Sequence, residues 1–119
     1  MSMRIFLAIS LTLAATPVAA AQGNAAAGKQ KAQTCAACHG IDGNGAGVGM
    51  YPLLAGQHPD YLRQALHDYK SGARSNPIMA GFAGALSEQD IADLTAHFAA
   101  QKSVLTELTV TAPAQANAK

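Results

Sequence analysis

The apolar positions of this chain recur at helical spacing in two stretches and lose their period between them. In PDYLRQALHDYKSG, residues 59–72, Tyr61, Leu62, Ala65, Leu66 and Tyr69 fall within one arc at ~100° per residue, and Arg63, Gln64, His67, Asp68 and Lys70 fill the rest. Pro59 suits a first helical position and Gly72 a helix stop, which predicts an amphipathic helix between them. In SEQDIADLTAHFAAQK, Ser87 is placed to cap a second helix, with Glu88 and Asp90 in the dipole-favoured first turn. Ile91, Leu94 and Phe98 share its apolar face, and Lys102 stands near its end. A third helix is expected over about Asn24 to Cys38, which is rich in Ala, Lys and Gln; Asn24 is its cap and Gly28 counts against it.

Two stretches interrupt this pattern. Gly40 to Gln57 carries glycines at 40, 43, 45, 47, 49 and 56 and reads as a loop. It lacks the Lys-Ser/Thr of a phosphate-binding loop and has no strand before it. The expectation is backbone that passes close to something flat and large, where Cβ atoms would collide. ARSNPIMAGFAGAL, residues 73–86, also reads as a loop from its Pro and Gly punctuation. Residues 103–119 read as a loosely held tail, with only TELTVTA near alternation, and no stretch repeats another.

The first residues, MSMRIFLAISLTLAATPVAAA, follow a different logic. Arg4 precedes a largely apolar run from Ile5 to Ala15, Thr16-Pro17 breaks it, and small residues follow. This is the layout of a secretory signal peptide over residues 1–21, cut after Ala20 or Ala21. The rival reading is an uncleaved membrane anchor, which would need ~20 apolar residues. Cleavage predicts a periplasmic chain with no stable membrane insertion, and one folded domain over residues 22–102.

Composition sharpens the problem of how so small a domain is stabilised. There is no Trp, and of three Phe one belongs to the leader. Small chains bury a smaller share of their surface and often need a disulfide, a metal or a cofactor. Lys and Arg number 8 against 7 Asp and Glu, so near-neutral charge gives no case for nucleic acid or anionic lipid as partner.

The chain's 2 cysteines stand in CAACHG, residues 35–40. A zinc site would need a fourth ligand beside Cys35, Cys38 and His39, drawn from His58, His67 or His97. A thioredoxin-like pair would need a βαβ setting. A plain disulfide suits an exported chain but leaves His39 unexplained. Covalent haem attachment accounts for all three residues, since C-x-x-C-H is its signature. Each thiol adds to one vinyl group, and the next residue projects over the ring with an imidazole nitrogen for iron. A large aromatic side chain buries ~150–250 Å². A porphyrin burying two or three times that would contribute on the order of 10 kcal/mol, comparable with a domain's whole stability. The haem would then complete the core, and the haem-free chain is expected to be largely unfolded.

With His39 on one face of the iron, the opposite ligand is sought among Met50, Met79, His58, His67 and His97; Met1 and Met3 leave with the leader. His67 lies on a polar arc, His97 at the edge of an apolar face, His58 beside a helix start, and Met50 in the glycine loop where it could pack on the ring. Met79 has the better setting: it follows Asn76-Pro77-Ile78, where Pro77 favours extended backbone at Asn76, and a helix separates it from His39. Core filler is the alternative for this residue. His/Met ligation raises the haem potential.

The stretches CAACHGIDGNG, YPLLAGQHPDYLRQAL, DYKSGARSNPIM and LSEQDIADLTAHF together resemble the class I c-type cytochromes, especially the small bacterial periplasmic single-haem kind and one half of the di-haem periplasmic cytochromes. The resemblance implies an all-α cytochrome c fold, with three main helices and glycine-rich loops around one haem c bound through Cys35 and Cys38. It implies His39 and Met79 as iron ligands, the Pro52 carbonyl as acceptor for the other His39 nitrogen, and Gln57, Tyr61 and Arg74 near the ring or its propionates. It implies crossing first and last helices, with Gly28 at the crossing and Ala32 where an aromatic is common. The expected function is one-electron transfer, not catalysis, by a monomer cycling between Fe(II) and Fe(III). A donor reductase or dehydrogenase and an acceptor oxidase or reductase are its partners. The alternatives are a fixed cytochrome subunit of a larger oxidoreductase, and a haem enzyme or gas sensor with an open sixth site.

Overall fold

A computed structural model describes residues 21–47 and 49–105. The expected leader lies outside the described residues apart from Ala21, as does the tail beyond Leu105. The described residues form helices α1 (Ala25–Lys31), α2 (Ala36–His39), α3 (Pro59–Ser71), α4 (Pro77–Gly84) and α5 (Glu88–Ala99), with no strand among them.

The expected first helix is present but broken. Asn24 caps α1, its side chain accepting from the Ala26 and Ala27 amides. At Lys31 the α-helical ladder stops: Cys35 N donates to Ala32 O at 2.9 Å, and the Thr34 hydroxyl donates to the Lys31 carbonyl at 2.9 Å. The hydroxyl satisfies the carbonyl that a continuing helix would have used. A 3-10 turn, Ala32–Thr34, results, and α2 starts beyond it.

Both periodic stretches form helices as expected. Pro59 opens α3, and Gly72 closes it in the left-handed conformation, φ 81°. Ser87 and Asp90 cap α5 reciprocally: Ser87 Oγ accepts from Asp90 N at 3.1 Å, and Asp90 Oδ2 accepts from Ser87 N at 2.9 Å.

The loop expected over residues 73–86 is a correction, because its second half is α4. Pro77 and the glycines read as breakers in the sequence, but Pro at a first helical position starts a helix rather than ending it. Asn76 is extended, φ −160° and ψ 111°, and its Oδ1 accepts from the Ile78 and Met79 amides at 3.0 Å each. That cap offsets the cost of Gly81 and Gly84 inside the helix.

The core is small. Ala32, Leu62, Leu94 and Phe98 form one buried cluster, with Cys35, Leu54 and Leu86 packed against it. α1 crosses α5 so closely that a Cβ on Gly28 would stand 2.0 Å from the Asp93 carbonyl oxygen. No side chain of ordinary size fits there, and small residues on α1, Gly28 and Ala32, make the approach possible. α3 packs on both α4 and α5, so the two long helices and α1 form the frame on which α2 and α4 are carried.

That crossing also carries a polar clamp which periodicity does not reveal. Asp93 is buried, 2% exposed, on the apolar side of α5. Its Oδ1 accepts from Asn24 N and Gln89 Nε2 at 2.8 Å each, and its Oδ2 from Lys31 Nζ at 2.6 Å. Lys31 also reaches Asp90 at 2.7 Å. Lys31 holds both carboxyls below the usual carboxylate range, and they raise the pKa of Lys31.

Candidate haem site

Cys35, Cys38 and His39 are set by one turn of helix. The Cys35 carbonyl accepts from Cys38 N at 3.3 Å and from His39 N at 2.9 Å. Residues at i, i+3 and i+4 share a helix face, so both thiols and the imidazole belong to one surface strip. Both cysteines are half-buried and unpaired. Burial, with the neighbouring Cys38 second, pushes the Cys35 thiol up, the opposite of the activation that a dithiol redox pair requires. Among the described residues no three His, Cys, Asp or Glu side chains group so as to hold a metal ion.

His39 is 6% exposed, and its Nδ1 lies 2.8 Å from the Pro52 carbonyl oxygen. A carbonyl only accepts, so Nδ1 is the donor, and in the neutral ring Nε2 is then the nitrogen with the lone pair that a metal-binding imidazole needs. The Tyr51 ring stands edge-on to it at 6.3 Å. On the main chain, the His39 carbonyl accepts from Gly45 N at 2.8 Å. The glycines beside it pack against the protein itself: a Cβ on Gly40 would meet Gly45 O at 2.6 Å, and one on Gly43 would meet Ala55 N and the Phe98 ring at 2.8 Å. Gly47 and Gly49 have open space, so the expected close approach to a flat group is not what requires glycine at 40 and 43.

The remaining candidates fall in separate places. Met79 is half-buried in the first turn of α4, its amide held by Asn76. Arg74 and two tyrosines form a cluster: the guanidinium lies 4.9 Å from the Tyr69 ring centre, and the Tyr61 hydroxyl raises its pKa further. Gln57 turns to its own neighbour, Oε1 accepting from His58 N at 2.9 Å. His58 makes no side-chain cap bond, and His67 Nε2 lies 3.3 Å from Glu88 Oε2. His97 is not at the edge of the core but within it, 4% exposed, with its Nδ1 3.3 Å from Gln101 Nε2. The close helix crossing at Gly28 covers it, since a Cβ there would touch the His97 Cβ at 2.8 Å.

Four of the seven exposed large apolar side chains among the described residues lie on the segments that carry His39 and Met79, the others being Tyr61, Val104 and Leu105. Ile41 and Met50, 47% and 75% exposed, lie on the loop after His39; Ile78 and Phe82, 60% and 47% exposed, flank Met79 on α4. Exposed apolar side chains on the two segments that carry the candidate ligands suit a bound group with a large apolar surface. A large apolar group bound at Cys35 and Cys38 would cover them, so the residues present fit a haem.

A helical frame that presents CxxCH on one turn and orients the histidine from a loop carbonyl defines a c-type cytochrome. Residues 25–101 match the family model described as Cytochrome c, and the chain belongs to that family. It is 46% identical over 99 residues to cytochrome c4 of Pseudomonas aeruginosa, covering 83% of this chain and 49% of that protein. It is 42% identical over 83 residues to cytochrome c-554(548) of Halomonas halodenitrificans, covering 67% of this chain and 99% of that protein. The structure of reduced recombinant cytochrome c4 from Pseudomonas stutzeri superposes with a TM-score of 0.64 at 40% identity, over 68% of this chain and 47% of that one. The chain thus spans about half the length of the cytochrome c4 relatives it matches. Family membership implies a covalently bound c-type haem.

Proposed function

We propose that this protein is a periplasmic one-electron carrier with a single haem c, attached at Cys35 and Cys38 and ligated by His39 and Met79. The observation that carries the reading is the His39 imidazole: buried, its Nδ1–H donating to the Pro52 carbonyl at 2.8 Å, which leaves Nε2 of the neutral ring to bind a metal. The haem, when bound, supplies the Fe(III)/Fe(II) couple. The polypeptide fixes its surroundings. Pro52 holds the imidazole orientation and makes it a stronger donor. Asn76 and Pro77 hold the start of α4, and with it Met79, in one conformation. A thioether ligand favours the reduced metal relative to a second imidazole. Arg74, set over the Tyr69 ring, and Tyr61 are suited to receive the propionates, with Gln57 beside the start of α3.

No helix among the described residues is long and apolar enough to cross a membrane. The leader over residues 1–21 supports export, and the partners are donor and acceptor redox proteins. The test is spectroscopic. The oxidised protein is expected to show a sulfur-to-iron charge-transfer band that Met79→Ala abolishes and His67→Ala leaves intact. Persistence of the band in Met79→Ala, or strong CO binding by the reduced wild-type protein, would refute the ligand assignment. Co-elution with a catalytic subunit on size exclusion of a native extract would contradict the free-carrier reading.

A further inference from the structure

One side chain joins the end of the described chain to the loop of the proximal histidine, and the function proposed above does not use it. Asn44 lies in the glycine-rich loop. Its Nδ2 donates to the Lys102 carbonyl at 2.9 Å, and its Oδ1 accepts from Val104 N at 2.8 Å. A single amide therefore satisfies both a carbonyl and an N–H on the strap that leaves α5, the pairing a neighbouring strand would otherwise supply. Asp42 holds the amide in place: its Oδ2 accepts from Asn44 Nδ2 and its Oδ1 from Asn44 N, both at 3.0 Å. The next residue, Gly45, donates its N–H to the His39 carbonyl at 2.8 Å. Gly40 is packed onto the Gly45 carbonyl, so Asn44 cannot shift without moving the backbone beside His39. The strap is also seated at a second point, since a Cβ on Gly56 would meet Gln101 O and Ser103 Cβ at 3.3 Å each.

We propose that Asn44 is a positioning residue for the proximal ligand, latching the strap at Lys102 and Val104 onto the loop whose Gly45 N–H holds the His39 carbonyl. A displacement of the strap is transmitted to His39 through this latch. The inference rests on the reading of His39 as an iron ligand.

The test is hydrogen exchange followed by NMR on reduced, haem-loaded, full-length protein, well below its melting temperature. Asn44→Ala is expected to speed exchange at Gly45 N–H and His39 Nδ1–H on the order of tenfold, the loss of one or two net hydrogen bonds. Exchange at Leu94 in α5 should change by less than about twofold, because local opening does not need global unfolding. Val104→Pro removes the strap's donor while leaving Asn44 and its bond to the Lys102 carbonyl in place, and is expected to produce a smaller acceleration at the same two sites. The double variant should not exceed Asn44→Ala appreciably, since the bond that Val104→Pro removes is one that Asn44→Ala has already removed. Unchanged exchange at Gly45 and His39 would overturn the proposal. So would equal acceleration at Leu94, which would reduce Asn44 to a contributor to global stability. A colourless wild-type protein would instead refute the assignment of His39 as a ligand, a failure distinguishable from failure of the latch.

Discussion

At the scale of single residues, the site depends on His39 being held from both its main chain and its ring. The sequence shows Cys35, Cys38 and His39 directly, because their spacing is their chemistry. The Pro52 acceptor came only from family resemblance: nothing in Pro52 itself marks its carbonyl, and the structure places it 2.8 Å from the ring. His97 and Asp93 were not legible as buried groups, since burial of a polar side chain depends on what crosses above it. Asp93 sits among the apolar residues of α5 only because Lys31, Asn24 and Gln89 satisfy it. Phe98→Ala, which empties the largest side chain of the central cluster, is expected to cost ~3–5 kcal/mol. Denaturant titration of the haem-loaded protein measures this; a loss below ~1 kcal/mol would show that the haem, not Phe98, fills that space.

At the scale of elements, the helices with strong caps and clear periods were legible, and the weakly apolar α4 was not. Its signal was Asn76-Pro77, which reads as a cap and first turn once Pro is taken as a helix opener. Asn76→Ala is expected to cost ~1 kcal/mol, with Asn76→Asp restoring much of it. In the same variant a weakened charge-transfer band would follow from loss of the fixed start of α4; a stable variant with an unchanged band would show that Met79 needs no such support. The α1–α5 crossing gives a sharper test. Gly28→Ala places a methyl against the Asp93 carbonyl, so a fall in melting temperature is expected although alanine is the better helix former. A rise would show that the helices separate at little cost.

The acidic clamp at that crossing sets a pH dependence. Lys31 lowers the pKa of Asp90 and Asp93 in the folded state. Their contribution is therefore full above the ordinary carboxylate pKa of ~4 and is lost as pH falls through the folded values. The melting temperature is expected to drop steeply below pH ~4, and Asp93→Asn should flatten that drop while lowering the plateau above it. An identical slope in the variant would remove Asp93 from the clamp. Lys31, whose pKa is raised, contributes with the opposite sign: its share is full at neutral pH and is lost only in strong alkali.

At the scale of the whole molecule, the cluster of Ala32, Leu62, Leu94 and Phe98, with Ile91 and three alanines as the other buried apolar residues among those described, is a small core for five helices and a long loop. Ile41, Met50, Ile78 and Phe82, exposed on the segments that carry His39 and Met79, are the residues the proposed haem would cover. The haem-free chain should accordingly have little helix by far-UV circular dichroism, and native-like helix content would contradict the idea that the cofactor completes the fold. The central claim, a haem joined covalently to this chain, is tested most directly by intact mass together with the visible spectrum of the exported protein. The account predicts a red protein heavier than its polypeptide by one haem, with the added mass lost in a Cys35→Ala, Cys38→Ala double variant. A colourless protein with the mass of its amino acids alone would contradict it.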